Sequence, residues 1–131
     1  MVPVELSRLL LDERSEEQLF CLREVGGDRQ LPIVVGPFEA LAIDRIVKET
    51  RSERPLTHDL LGAVVTQLDA EVAYVLIDDL KGETYFAKLV LRRGPNEVSV
   101  DARPSDAVAL ALLHEVPIYV ADRIMRSAAT S

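Results

Sequence analysis

The sequence predicts an α+β fold in which a unit of three strands and two helical segments occurs twice. The two copies are expected to share one curved sheet. Strand-like runs come in two groups of three, and each group is followed by a helix opened by proline. The groups also align. Gly36-Pro37-Phe38-Glu39-Ala40-Leu41-Ala42-Ile43 matches Arg103-Pro104-Ser105-Asp106-Ala107-Val108-Ala109-Leu110, and Glu17-Gln18-Leu19-Phe20-Cys21 matches Glu83-Thr84-Tyr85-Phe86-Ala87. Pro55-Leu56 matches Pro117-Ile118. Neither half is large enough to bury its own helices, so the strand groups are expected to join over a shared core.

Each element has its own signal. Val2 to Asp12 is apolar and extended, Glu17 to Val25 reads as a strand, and Gly26-Gly27-Asp28 is the turn after it. Gln30 to Val35 is a third strand. Gly36 as cap and Pro37 at the first helical position open a helix carrying Leu41, Ile43 and Ile46, which "RSERP" breaks. "THDLLGAVVTQL" starts a second helix, with Thr57 as N-cap and an apolar face through Leu60, Leu61, Val64 and Val65. "EVAYVLID", "TYFAKLVLR" and "EVSVDA" are strands joined by the turn chemistry of "DLKGE" and "RGPN". Pro104 to Glu115 is a buried helix, "VPIYV" breaks it, and "ADRIMRS" is a short terminal helix. One domain over residues 1–126 is expected, with repeats of about 1–70 and 71–126 and a frayed tail at 127–131.

With 48% hydrophobic residues, the 131-residue chain can build a globular core. Its net charge of −7 gives no global footprint for nucleic acid or an anionic membrane, so a nucleic-acid role needs a local basic patch or bound cations. The single cysteine, Cys21, excludes an intramolecular disulfide and a cysteine-rich zinc site, and its apolar surroundings predict a buried thiol. Neither a signal-peptide pattern nor an apolar run of about 18 residues occurs, so a soluble cytoplasmic location is expected. Gly-rich phosphate loops, nucleophile elbows and metalloprotease helix motifs are absent from the sequence.

A polar residue found in both copies reads as structural, whereas one found in a single copy is a functional candidate. Glu39 and Asp106 both stand at the third helical position, where a carboxylate reaches back to the cap and meets the helix dipole. Asp101, Arg103 and Ser105 replace Val34, Gly36 and Phe38. Their corner either ligates a metal or positions a phosphate, or it is an Asp101–Arg103 ion pair closing the strand–helix turn. His58 and Asp59 stand where the second copy has Val120 and Ala121. His58 is a candidate metal ligand or general base, or a solvated first-turn residue with Asp59 meeting the dipole. His114, at a helix end, reads as structural. Asp78 and Asp79 end a strand and point to opposite faces. Arg51, Arg54, Arg92 and Arg93 are scattered cations that either touch a phosphate backbone or solvate the surface.

Taken together, "RPLTHDLL", "YFAKLVL", "VDARPSDAVALAL" and "PIYVAD" resemble the bifunctional nuclease family, a DNase–RNase domain. The resemblance implies a repeat-built α+β fold with a barrel-like sheet and cleavage of DNA and RNA aided by a divalent cation. The matching positions are Glu39, His58, Asp59, Asp101, Arg103, Ser105 and Asp106. On that reading Asp101 and Asp106 hold Mg²⁺ or Mn²⁺, Arg103 pairs with a phosphate oxygen, and His58 is general base or acid. The other reading is a non-catalytic regulatory module that binds an anion or a protein through the same corner. A homodimer is expected under either, and no membrane association.

Overall fold

In the computed structural model, which describes residues 1–12, 14–50 and 52–131, both strand groups fall where the turn residues place them. Arg51 lies outside the described residues. The first half contributes β1 (Val2–Leu10), β2 (Gln18–Glu24), β3 (Gln30–Val35), α1 (Pro37–Val47) and α2 (Thr57–Gln67). The second contributes β4 (Glu71–Lys81), β5 (Thr84–Arg93), β6 (Asn96–Ala102), α3 (Pro104–His114), β7 (Ile118–Val120) and α4 (Asp122–Ala128).

The fold is α+β, with seven strands in one mixed sheet ordered β3-β2-β1-β7-β4-β5-β6. The two groups of three do not pair with each other. β7 lies between them, antiparallel to β1 (Val2 opposite Val120) and parallel to β4 (Val75 opposite Ile118). "VPIYV" was expected only to break a helix. Its Ile118-Tyr119-Val120 core is the strand that joins the halves, with Ile118 and Val120 buried.

The sheet is not closed, which corrects the barrel expectation. β3 and β6 are its edges. Pro32 has no N–H to give a further strand, and Gln30 already exchanges two backbone hydrogen bonds with Thr130, so β3 offers no continuous ladder. The same bridge holds the end of the chain against β3, and α4 continues through Ala128, where a frayed tail was expected. Register shifts at Val72/Tyr74 and Ile77/Asp79 mark irregularities in β4 of the kind that bend a strand. β4 runs on past Asp78 and Asp79, and Arg123 of α4 bonds the Asp78 carbonyl and the Asp79 carboxylate, so this acidic pair braces α4.

α3 is apolar all round and lies at the centre, with Ala107 through Ala111 buried against β4, β5 and α1. Phe20, Leu22, Leu31, Val75 and Ile77 supply the sheet side of the core. α2 departs from expectation. Thr57 is its first helical residue and Leu56 holds the cap position. Of its apolar residues only Val65 is buried; Leu60 is 57%, Leu61 41% and Val64 46% exposed. The face that reads as a core stripe points outward, and α2 meets α3 through Gly62, where a Cβ would run into the His114 ring. His114 therefore packs α3 on α2, in line with its structural reading, although its buried Nε2 has no partner among the described residues. None of the described helices is long and apolar enough to cross a membrane.

Candidate active site

The prolines Pro37 and Pro104 fix where α1 and α3 begin, and so place Glu39 and Asp106 at the third position of each helix. Neither carboxylate bonds its cap N–H. In α1 the carboxylate of Glu39 folds back over Gly36, into space that a Cβ would take. In α3 the cap residue is Arg103, and Asp106 bonds its side chain. Nε of Arg103 donates to Oδ2 at 2.9 Å and Nη2 to Oδ1 at 3.3 Å. Nη1 of Arg103 lies 3.7 Å from Glu39, an ion pair that ties the two helix starts together.

α2 completes the group. His58, in its first turn, places Nε2 2.9 Å from Oδ1 of Asp106. The result is a chain of paired polar groups, Glu39–Arg103–Asp106–His58, drawn from three helices. Burial pushes the Asp106 carboxyl up, but the hydrogen bonds from Arg103 and His58 and their charges outweigh it and hold it below its ordinary value. Asp106 raises the Arg103 guanidinium further, with Glu39 adding to it. An ionised Asp106 accepts only, so a neutral ring bonded to it carries the proton on Nε2 and leaves Nδ1 as an acceptor.

These four residues line an open cleft of about 940 Å³ between α1, α2 and the two ends of α3. Phe38 and Arg45 of α1 also face it. A smaller cavity of about 270 Å³ lies on the other side of Glu39 and Arg103, which line both.

The other candidates are placed differently. Asp59 also lines the cleft, but its Oδ2 accepts from the Leu56 N–H at 2.9 Å and so caps α2. Ser105 is buried, 6% exposed, on the side of the smaller cavity. Asp101 is not part of the charge chain. Its carboxylate is 74% exposed and pairs with Lys88 across β5 and β6 at 3.6 Å, so the Asp101–Arg103 ion pair is replaced by Arg103–Asp106. Asp101 and Asp106 thus answer to different cations. Among the described residues no three His, Cys, Asp or Glu side chains come together as a metal site. The two carboxylates expected to hold Mg²⁺ or Mn²⁺ have different partners, Asp101 with Lys88 and Asp106 with Arg103 and His58.

Phe38 was missed as a functional candidate, although a helical wheel carries the signal. The buried residues of α1 are Ala40 and Ile43, and Phe38 stands about 200° from Ala40, on the open side. Tyr85 was noted only as part of a motif, and nothing local in the sequence places it near Arg103.

The profile of the bifunctional nuclease domain matches residues 20–131. An uncharacterized protein of Mycobacterium tuberculosis is 38% identical over 128 residues, covering 98% of this chain and 76% of its own. Bifunctional nuclease 1 of Oryza sativa subsp. japonica is 28% identical over 118 residues, and bifunctional nuclease 1 of Arabidopsis thaliana 31% over 100. These matches cover 88% and 74% of this chain but only 36% and 31% of the plant proteins, about a third of their length. By the extent of the profile match and the motifs that line the cleft, the chain belongs to the bifunctional nuclease domain family.

Proposed function

We propose that the chain hydrolyses phosphodiester bonds of DNA and RNA in the cleft at Arg103 and Asp106. The observation that carries this reading is the His58–Asp106 contact, an imidazole oriented by an ionised carboxylate in an open cleft beside an arginine. Nδ1 of His58 takes a proton from water, and the oxygen bonds to phosphorus. The bond from phosphorus to the leaving oxygen breaks, and that oxygen takes a proton from solvent. Nη1 of Arg103, too far from Glu39 for a hydrogen bond, keeps donors for a phosphate oxygen. Asp106 orients both groups and stays ionised.

Mg²⁺ and Mn²⁺ belong in the test because hard cations seek carboxylate oxygen and Glu39, Asp59 and Asp106 all line the cleft. A second reading, a non-catalytic binding module, is favoured by the cleft's excess of acid. Glu49 and Glu115 join those three carboxylates against Arg45 and Arg103.

The same proposal takes residues 1–126 as a duplicated unit, supported by the paired Gly36-Pro37 and Arg103-Pro104 helix starts. It takes the working form as a cytoplasmic homodimer, supported by the outward aliphatic stripe of α2.

The test is cleavage of single-stranded DNA, duplex DNA and RNA with Mg²⁺, Mn²⁺ or chelator, beside a folded His58→Gln variant. Cleavage reduced about 10²- to 10⁴-fold in that variant is the expected result. No cleavage by the wild-type chain under any condition overturns hydrolysis in favour of the binding module. Equal cleavage by both proteins places the chemistry elsewhere.

A further inference from the structure

The "YFA" stretch, one of the motifs that marks the family resemblance, has no part in the chemistry above. Tyr85 nevertheless lines the smaller cavity, facing Pro104 and Ser105 at the start of α3 and Val34 of the opposite sheet edge. That cavity lies between β3, one edge of the open sheet, and the start of β5, the strand next to the other edge. It shares Glu39 and Arg103 with the large cleft, so the arginine stands between two spaces rather than at the end of one. On the cleft side stands Phe38, 81% exposed, one of three phenylalanines in a chain without tryptophan. Each of the two spaces that share Arg103 is thus lined by an aromatic residue, Phe38 in one and Tyr85 in the other.

We propose that a single-stranded polynucleotide crosses Arg103, with one base against Tyr85 in the smaller cavity and the adjoining base against Phe38. This rests on the reading of the cleft as a phosphodiester site, since Arg103 is taken as the phosphate contact. Three arguments lead to it. A ring offers its face to any base, which suits a site for both DNA and RNA. At about 270 Å³ the smaller cavity has room for one nucleoside. A base paired in a duplex is held by its partner and stacked neighbours, and reaching such a pocket would require unpairing and unstacking it. Stacking also needs no positive charge, which matters for a chain of net charge −7.

The experiment is equilibrium binding, so it does not depend on turnover. A short fluorescein-labelled oligothymidylate and a duplex of the same length are titrated with the His58→Gln chain in chelator and followed by anisotropy. The single strand is expected to bind at least about tenfold more tightly than the duplex, and Phe38→Ala and Tyr85→Leu each to weaken it about tenfold. Phe38 is exposed, so Phe38→Ala keeps the test open should Tyr85→Leu fail to fold. Equal affinity for single strand and duplex, no binding of either, or an unchanged affinity in the folded variants overturns the proposal. If the stacking pattern appears in a chain that cleaves nothing, the base subsites stand and the hydrolytic reading falls.

Discussion

Nε2 of His58 stands 2.9 Å from Oδ1 of Asp106, joining the first turn of α2 to the first turn of α3 across 48 residues of chain. The carboxylate that binds His58 also binds Arg103, so its ionisation supports the whole corner. Its folded pKa is depressed, and the stabilisation it gives is therefore complete above the ordinary value of 3.8 and lost as pH falls through the lower folded value. Urea unfolding of wild type and Asp106→Asn should show a gap that narrows as pH falls below about pH 4. With the side chain 32% exposed, solvent screening keeps the ionic part of that gap to about 1 kcal/mol. A gap independent of pH would show that Asp106 is not held ionised by its partners.

Asp101 should behave in the opposite way. Its only described ion pair is with Lys88, on an exposed part of the sheet. Asp101→Asn is expected to change stability by less than about 1 kcal/mol and to leave cleavage unaltered. Loss of activity in a folded Asp101→Asn chain would bring this residue back into the site.

Gly62 tests how closely α2 and α3 approach. A methyl group there meets the His114 ring, whose Nε2 is buried. Gly62→Ala should destabilise by about 1–3 kcal/mol despite its better helix propensity. Combining it with His114→Ala, in a double-mutant cycle of thermal melts, should recover part of the loss. Purely additive effects would mean that the two residues do not meet.

Leu60, Val64 and Leu68 follow one another at helical spacing along and just past α2, at 57%, 46% and 60% exposure. Such a stripe is costly to leave in water and can be buried twice over by a second copy. Leu60→Glu with Val64→Glu should convert a dimer to a monomer in sedimentation equilibrium and, because both sites are exposed, barely move the monomer's own stability. A wild-type chain that sediments as a monomer at every concentration removes the dimer.

Most element boundaries were legible because proline, glycine and turn residues act locally. Pro37 and Pro104 start their helices as expected. Ile118-Tyr119-Val120 was not legible as a strand, since three residues carry no period and the flanking proline reads as a break. The α2 stripe was legible as apolar but not as outward-facing, because periodicity shows that a face exists and not what lies against it. At the site, residue types were found and pairings were not. Alternation put Asp101 beside Arg103, but the turn into α3 swung Arg103 onto Asp106. The partnership of His58 with Asp106 depends on how α2 packs on α3, and local spacing carries none of that.

The short strand β7 also governs the order in which the molecule can be made. On the flank away from β2, Val2 and Val4 pair with Val120 and Ile118, more than a hundred residues on. During synthesis the β1–β2–β3 meander can form early, but its β1 flank stays open until residue 120 has emerged. Contacts so distant along the chain are slow to close, and an unpaired strand flank in the meantime is a surface for aggregation. Chains released before Ile118 would keep that flank exposed, and their fate would be decided by chaperones and proteases rather than by their own stability.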